Sequence, residues 1–577
     1  VAVQQKVDAV EPLSAYVPQG ALMAVESPDF AALLSSWTHS EEEKAWIASD
    51  DYAEFSHSRL FSRLGEAQSE FAASAGLAPN ANFLRQVAGG ESLFAWYDIG
   101  KLEFLYVTRM NPGKAANNPL MKLAGKFQMR RAGADSFYIR AEAMQASTFD
   151  GDAPGSARTV AFAVHGDLLL LATREDLIAN ALLLAQHQGD ATLRNEPWYT
   201  AAVSAVRGDK DAASPEVRPD LRMTLNLARI VPSPYFRSYW VQRNVTQMKQ
   251  YSAAVSDLYR TNGAFREERV LIPKTPDVGT AAGDLSPILR YVPSDSGVYR
   301  ATAQPGTAQI VAELDRRLIS RAPEPYRDLR IAPVADLSDA NAGSTGDLDT
   351  RIDEQPVPEL PLAAALSGLR ALIDSEQADA ILVYSTASEA AAADGVFLPM
   401  HSAVVLSASA PWDAAAVQAA LVAALRPRLT VGGAGLSWQA RQQDSETWME
   451  LGGLQPMAMA VRGGVLIVAS DSKTLLQMLK SEKSGQPGSE YRNASTVAGF
   501  SHSGERVAFR GLSALLDRNH SAAAERGGAS VTDSPTFFSG NMGSLSDSFK
   551  ALDSETFVEA PTVNHTVRQT VVYRWVP

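Results

Sequence analysis

The sequence predicts an α+β protein of two tandem related modules, each an antiparallel sheet with helices packed on one face, together a pseudo-dimer. Two observations carry this expectation: an internal repeat, and strand runs mixed with helix runs without the regular βαβ alternation of a parallel sheet. The repeat is clearest where AFAVHGDLLLLATREDLIANAL (Ala161 to Leu182) matches AMAVRGGVLIVASDSKTLLQML (Ala458 to Leu479), with seven of the 22 positions identical. In both copies an alternating strand turns tightly at Gly166 or Gly463 into a more continuously apolar strand. A helix follows, with Thr173 or Ser470 expected as its cap, and Thr173-Arg-Glu-Asp176 resembles a capping box.

Weaker matches fall in the same order. Tyr16-Val-Pro18 before a strand matches Tyr291-Val-Pro293 with a strand through Tyr299, and Phe265–Ile272 resembles His565–Tyr573 as a closing strand. A helix is expected before each closing strand, near Val245–Tyr259 and Met542–Leu552. The layout is then a tail over 1–15, a first module over 16–273, a Pro- and Gly-containing linker over 274–287, and a second module over 288–577. The second module carries an insertion, 331–360, with seven Asp and Glu against one Arg and no periodicity, which reads as a surface loop. Glu41 to Ala75 spaces Trp46, Ile47, Phe61, Leu64 and Phe71 as two amphipathic helices would, and Leu102–Met110 and His401–Ala408 read as strands.

Composition narrows the chemistry. Hydrophobic content of 46% with 20% charged residues suits large cores. A formal charge of -13 without any Lys/Arg run opposes nucleic-acid binding. With no cysteine, disulfides, thiolate metal sites and cysteine nucleophiles are excluded. No stretch approaches the ~18–20 apolar residues of a spanning helix. The opening at Val1 fits removal of a signal peptide, which sets the expected location outside the cytoplasm, in the periplasm or at the cell exterior.

Motif searches point away from an enzyme and give no catalytic residue, cofactor or metal site. The eight histidines show no HxH, HxxxH or HExxH spacing; His39 and His57 read as solvated. Gly499-Phe-Ser501-His-Ser503-Gly504 misses the GxSxG elbow by one residue, and Ser470-x-x-Lys473 lacks its KTG companion. Gly432–Gly435 lacks the lysine of a phosphate loop, and Asp336, Asp339, Asn341, Asp347, Asp349 and Asp353 do not meet the EF-hand pattern. The densest unassigned chemistry is Pro232–Trp240, where Tyr235, Phe236, Arg237, Tyr239 and Trp240 are a candidate partner-binding cluster.

Tyr16-Val-Pro18, Glu26-Ser-Pro-Asp29, Phe83-Leu-Arg-Gln-Val-Ala-Gly89, Tyr97-Asp-Ile-Gly100 and Ala172-Thr-Arg-Glu-Asp-Leu177 together resemble a group of bacterial exported proteins of unknown function with an internally duplicated module. The resemblance implies export and a repeat architecture; it implies no activity and transfers no site residue. The expected function is a non-enzymatic envelope or exterior protein that binds a protein partner or forms a homo-oligomer. The alternatives are a carrier holding a lipid or small apolar ligand in a groove, and a hydrolase with an unrecognised site. A carrier should show a continuous apolar cavity of a few hundred Å3.

Overall fold

The computed structural model describes residues 11–38, 40–48, 52, 56, 59–98, 101–143, 157–207, 218–232, 248–261, 263–275, 281–294, 297–321, 329–331, 352–354, 364–387, 400–429, 436–453, 455–482, 488–505, 552–561 and 566–575. Among the described residues, mixed α and β structure is organised on one 20-stranded sheet. The strands of the first half are β1 (Met23–Ser27), β2 (Ser92–Asp98), β3 (Glu103–Arg109), β4 (Gln128–Ala132), β5 (Asp135–Ala143), β6 (Ala157–His165), β7 (Leu168–Ala172), β8 (Leu221–Leu225), β9 (Tyr251–Thr261) and β10 (Ala264–Pro273). Those of the second half are β11 (Val298–Ala303), β14 (Ala378–Ala387), β15 (Met400–Ala408), β16 (Trp438–Gln443), β17 (Glu446–Leu451), β18 (Met457–Arg462), β19 (Val465–Ala469), β20 (Thr496–Ser501), β21 (Leu552–Glu559) and β22 (Val567–Trp575). A separate hairpin, β12 (Leu329–Ile331) with β13 (Ile352–Glu354), brackets part of the acidic insertion.

Every pairing is antiparallel. Outward from β10 the neighbours run β9, β8, β1, β2, β3, β7, β6, β5 and β4. Outward from β22 they run β21, β20, β11, β14, β15, β19, β18, β17 and β16. The two orders correspond strand for strand. β10 and β22 join them, pairing from Ala264↔Arg574 to Leu271↔Val567.

Helices cover both faces of the sheet, not one. β7 is buried at all five positions, and this continuously apolar run is the local signature of two-sided burial. On one face Leu105, Val107, Leu168, Leu170 and Ala172 pack with Leu177, Ile178 and Leu182 of the helix Glu175–Ala185. On the other, Tyr106, Leu169 and Leu171 meet Phe71 of the helix Arg59–Ala75 and Phe83 of the helix Ala81–Val87. The second half repeats the division: Ile467 and Ala469 pack with Leu475 and Met478 of the helix Ser472–Glu482. Its opposite face packs Val404, Leu406 and Val468 against Ile310, Leu314, Leu369, Leu421 and Leu425 from three helices.

Two local expectations are corrected. Tyr251–Thr261 is strand β9 where a helix was expected near Val245–Tyr259, because Ala253, Val255 and Asp257 reach the buried side at period two; Leu552 likewise opens strand β21. Thr173 and Ser470 do not cap their helices. Thr173 Oγ1 accepts from the Phe104 N–H at 2.9 Å, and Ser470 Oγ accepts from the Ser402 N–H at 3.1 Å, so each satisfies a backbone donor of the neighbouring strand. Arg174 occupies the first N-cap without a side-chain bond, whereas Asp471 caps the second helix through the Thr474 N–H at 2.8 Å. Among the described residues no helix is long and apolar enough to cross a membrane.

Candidate functional site

Period-two geometry places one side of β1, β2 and β3 in a common layer, in three rows that cross the strands. Val25, Phe94, Tyr106 and Leu171 are successive partners in one row. Met23, Trp96 and Phe104 make the second, and Ser27, Ser92 and Thr108 the third. Three helices close over these rows with their apolar faces. The first is Phe30–Trp37, capped by the Asp29 carboxylate accepting from the Ala32 N–H at 2.9 Å. Arg59–Ala75 turns Leu64, Ala67, Gln68 and Phe71 toward the sheet at the i, i+3, i+4, i+7 spacing of one helical face. Ala81–Val87 contributes Phe83, Leu84 and Val87, and is capped by Asn80. Gly89 ends that approach: a Cβ there would lie 2.0 Å from the Arg109 carbonyl oxygen, so only glycine lets the chain pass β3 so closely.

The helices do not fill the space beneath them. Between them and the sheet lies a cavity of about 650 Å3. Its sheet side is aromatic: Phe94 stacks on Phe104 with centroids 4.8 Å apart, and Trp96 lies tilted 5.6 Å from Phe94. Its helix side carries the edge-to-face pair Phe71–Phe83 at 5.8 Å, and Phe30 meets Tyr106 edge-on at 6.3 Å. Leu64 and Leu84, both exposed, mark where it opens.

Among the described residues no Asp, Glu, Lys, Arg or His lines this cavity. Its hydroxyls are already engaged. Ser27 Oγ donates to the Asp220 carbonyl at 3.0 Å; Ser92 Oγ lies 2.6 Å from Thr108 Oγ1 and 3.2 Å from the Tyr106 hydroxyl. Burial pushes the Tyr106 phenol above its ordinary value, with bonds to Ser92 and Thr108 opposing the shift.

Polar groups collect elsewhere. Across the sheet from the cavity, Arg222 donates to both oxygens of the fully buried Asp257, at 2.7 Å each. Beside them the Tyr199 hydroxyl donates to Glu26, whose carboxyl is raised by burial against the opposing effects of Tyr199 and Arg222. In the second half, Nδ1 of His401 lies 2.6 Å from Oδ2 of Asp471, and Ser470 Oγ donates to the same oxygen at 2.9 Å. Burial opposes ionisation of Asp471, yet the bonds from His401, the Thr474 N–H and Ser470 hold it well below the usual carboxylate range. Asp471 stands between Ser470 and His401, so the serine is not bonded to an imidazole base and the constellation is not a nucleophilic triad.

Of the residues singled out in the sequence, Tyr235, Phe236, Arg237, Tyr239 and Trp240 lie outside the described residues, as do His39, His57, Gly432–Gly435 and most of the acidic insertion. Ser501 ends β20, and its Oγ accepts from the Gly504 N–H at 3.3 Å, capping the helical residues that begin at His502. Among the described residues no group of acidic and histidine side chains is placed to hold a metal ion. The cavity residues were not singled out, although their signal is plain: aromatics at 94 and 96, then at 104 and 106, alternate on two strands of one hairpin and must share a face. No family model, curated protein or solved structure matches the chain.

Proposed function

We propose that the chain binds and carries a small apolar ligand in the cavity of its first half. The observation that carries this reading is the 650 Å3 cavity between an aromatic sheet face and the apolar faces of three helices. That volume falls within the roughly 300–1,000 Å3 of ligand pockets, and close-packed interiors keep few voids larger than a water molecule. Among the described residues no Asp, Glu, Lys, Arg or His lines the wall, which supports binding over bond-making chemistry at this site. The test is saturation binding of a fluorescent apolar probe to wild type and to Ala67→Phe, which fills the cavity from its helix side. Saturable binding lost in the variant, at unchanged thermal stability, supports the reading; binding equal in both proteins sinks it.

A protein-binding or assembly role is the second reading. Large apolar side chains are left exposed, Trp37, Leu64 and Leu84 on the helices over the cavity and Trp46 and Ile47 on the helix Glu41–Ile47. Part of the same proposal is that the two halves arose by duplication of one module and form a pseudo-dimer. The matching strand orders, the φ angles of 59° and 60° at Gly166 and Gly463, and the shared bond of Thr173 and Ser470 support it. An exported setting rests on the sequence resemblance, and cell fractionation tests it.

A further inference from the structure

Building on the carrier reading, we infer that the cavity selects an uncharged ligand with a flat conjugated ring, in preference to a fatty acid or a saturated chain. Charge is excluded by the walls. A carboxylate or ammonium drawn inside would lose its water and meet no counter-charge among the described residues, where no Asp, Glu, Lys, Arg or His lines the space. Hydrogen-bonding capacity is limited as well. Ser27 Oγ is held by Asp220, the Ser92, Tyr106 and Thr108 hydroxyls are bonded among themselves, and Thr173 is held by the backbone of Phe104. The amide of Gln68, exposed on its helix, is left for a single polar substituent at the opening.

Ring selection follows from the arrangement of the walls. Phe94, Trp96 and Phe104 form a continuous aromatic floor on the sheet, and Phe30, Phe71 and Phe83 supply rings from the helices opposite. A flat conjugated ligand between them gains stacked and edge-on contacts in addition to burial, whereas a saturated chain gains burial alone. The second half shows that the strand frame does not require this floor. The register that pairs Phe94 with Tyr106 and Trp96 with Phe104 there pairs Val383 with Val404 and Ser385 with Ser402.

The test uses the full chain and three probes: N-phenyl-1-naphthylamine, which is neutral and aromatic, 1-hexadecanol, which is neutral and saturated, and palmitate, which is anionic. The naphthylamine is titrated directly by its fluorescence, and the other two compete against it. The expected result is saturable naphthylamine binding with weaker displacement by hexadecanol and weaker still by palmitate. Phe94→Leu/Phe104→Leu should weaken the naphthylamine about tenfold and leave the hexadecanol constant unchanged. Phe30→Leu, on the helix side, gives an independent reading if the sheet pair fails to fold. Hexadecanol binding as tightly as naphthylamine, with the leucine variants altering neither, overturns ring selection and leaves the carrier reading intact. Palmitate competing as well as hexadecanol overturns neutrality. Failure of all three probes to bind overturns the carrier reading itself.

Discussion

The two halves of the sheet share an order of strands and differ in what stands on them. Where the first half sets Phe94, Trp96, Phe104 and Tyr106 beneath a cavity, the second sets Val383, Ser385, Ser402 and Val404. The correspondence is fixed by a bond common to both, from the N–H of Phe104 or Ser402 to Thr173 or Ser470. Over the second half, Leu314, Leu369, Ile373, Leu421 and Leu425 pack directly onto Val404, Leu406 and Val468. The small serines leave room for a polar cluster, in which Arg317 donates to Ser385 at 2.7 Å and Ser385 meets Ser402 at 3.3 Å. The lesson concerns volume: large rings on the sheet hold the helices away from its backbone and leave a gap between rings, whereas β-branched and small residues allow close packing.

The largest effect that sharpens this contrast is a pair of leucine truncations. Leu421 is 1% exposed within the second half's packed face, and Leu421→Ala should cost about 2–5 kcal/mol in urea unfolding. Leu64 occupies a similar place over the first half but is 40% exposed at the cavity opening, so Leu64→Ala should change stability by no more than about 0.5 kcal/mol. Equal losses in the two variants would mean that the helices of both halves are packed alike, and the contrast would fail.

A smaller effect separates the two helix starts that follow β7 and β19. Asp471→Ala removes a cap and the bonds to His401 and Ser470, and should cost about 1–2 kcal/mol at neutral pH. Arg174→Ala, at the corresponding N-cap with no capping bond, should cost less than half as much. The Asp471 loss also depends on pH. Its folded carboxyl is held below its ordinary value of 3.8, so its contribution is complete above that pH and disappears as pH falls through the folded value. Thermal melts of the variant and wild type should therefore converge in strong acid; a gap independent of pH would assign the loss to packing alone.

Much of this frame is legible in the chain. The glycine turns at 166 and 463, the following apolar strands and the helices after them fall where period and punctuation place them, because local geometry sets those features. Asp29 before Phe30 and Asn80 before Ala81 announce their helices in the same local way. The failures are non-local. Residues 251–259 carry apolar side chains at spacings that also suit a helix, and only the pairing of β9 with β8 and β10 decides for a strand. Thr173 and Ser470 look like caps in sequence, but the backbone N–H of a strand about 70 residues earlier claims their oxygens. The cavity is the hardest feature to foresee: alternation at 94, 96, 104 and 106 shows that the rings share a face, but not that the helices over them leave a cavity.

The smallest effect tests a carboxyl displaced in the opposite direction to Asp471. Glu26 points away from the cavity on β1, and burial raises its carboxyl above 4.5 although Tyr199 donates to it and Arg222 stands near. Arg222 is already committed to both oxygens of Asp257, which explains why its charge does not offset the desolvation of a second acid. A raised folded value means that the native state holds the proton more tightly than the unfolded chain. The contribution of Glu26 is accordingly complete below about pH 4.5 and is lost as pH rises through the folded value. Glu26→Gln reproduces the protonated form, keeps an acceptor for Tyr199, and removes the cost of ionising a covered group. Its melting temperature relative to wild type should rise as pH increases from 4.5, opposite in sign to the Asp471 series, in which the variant falls further below wild type as pH rises. A difference that falls with pH would show that Arg222 serves both carboxylates and that Glu26 is ionised in the fold.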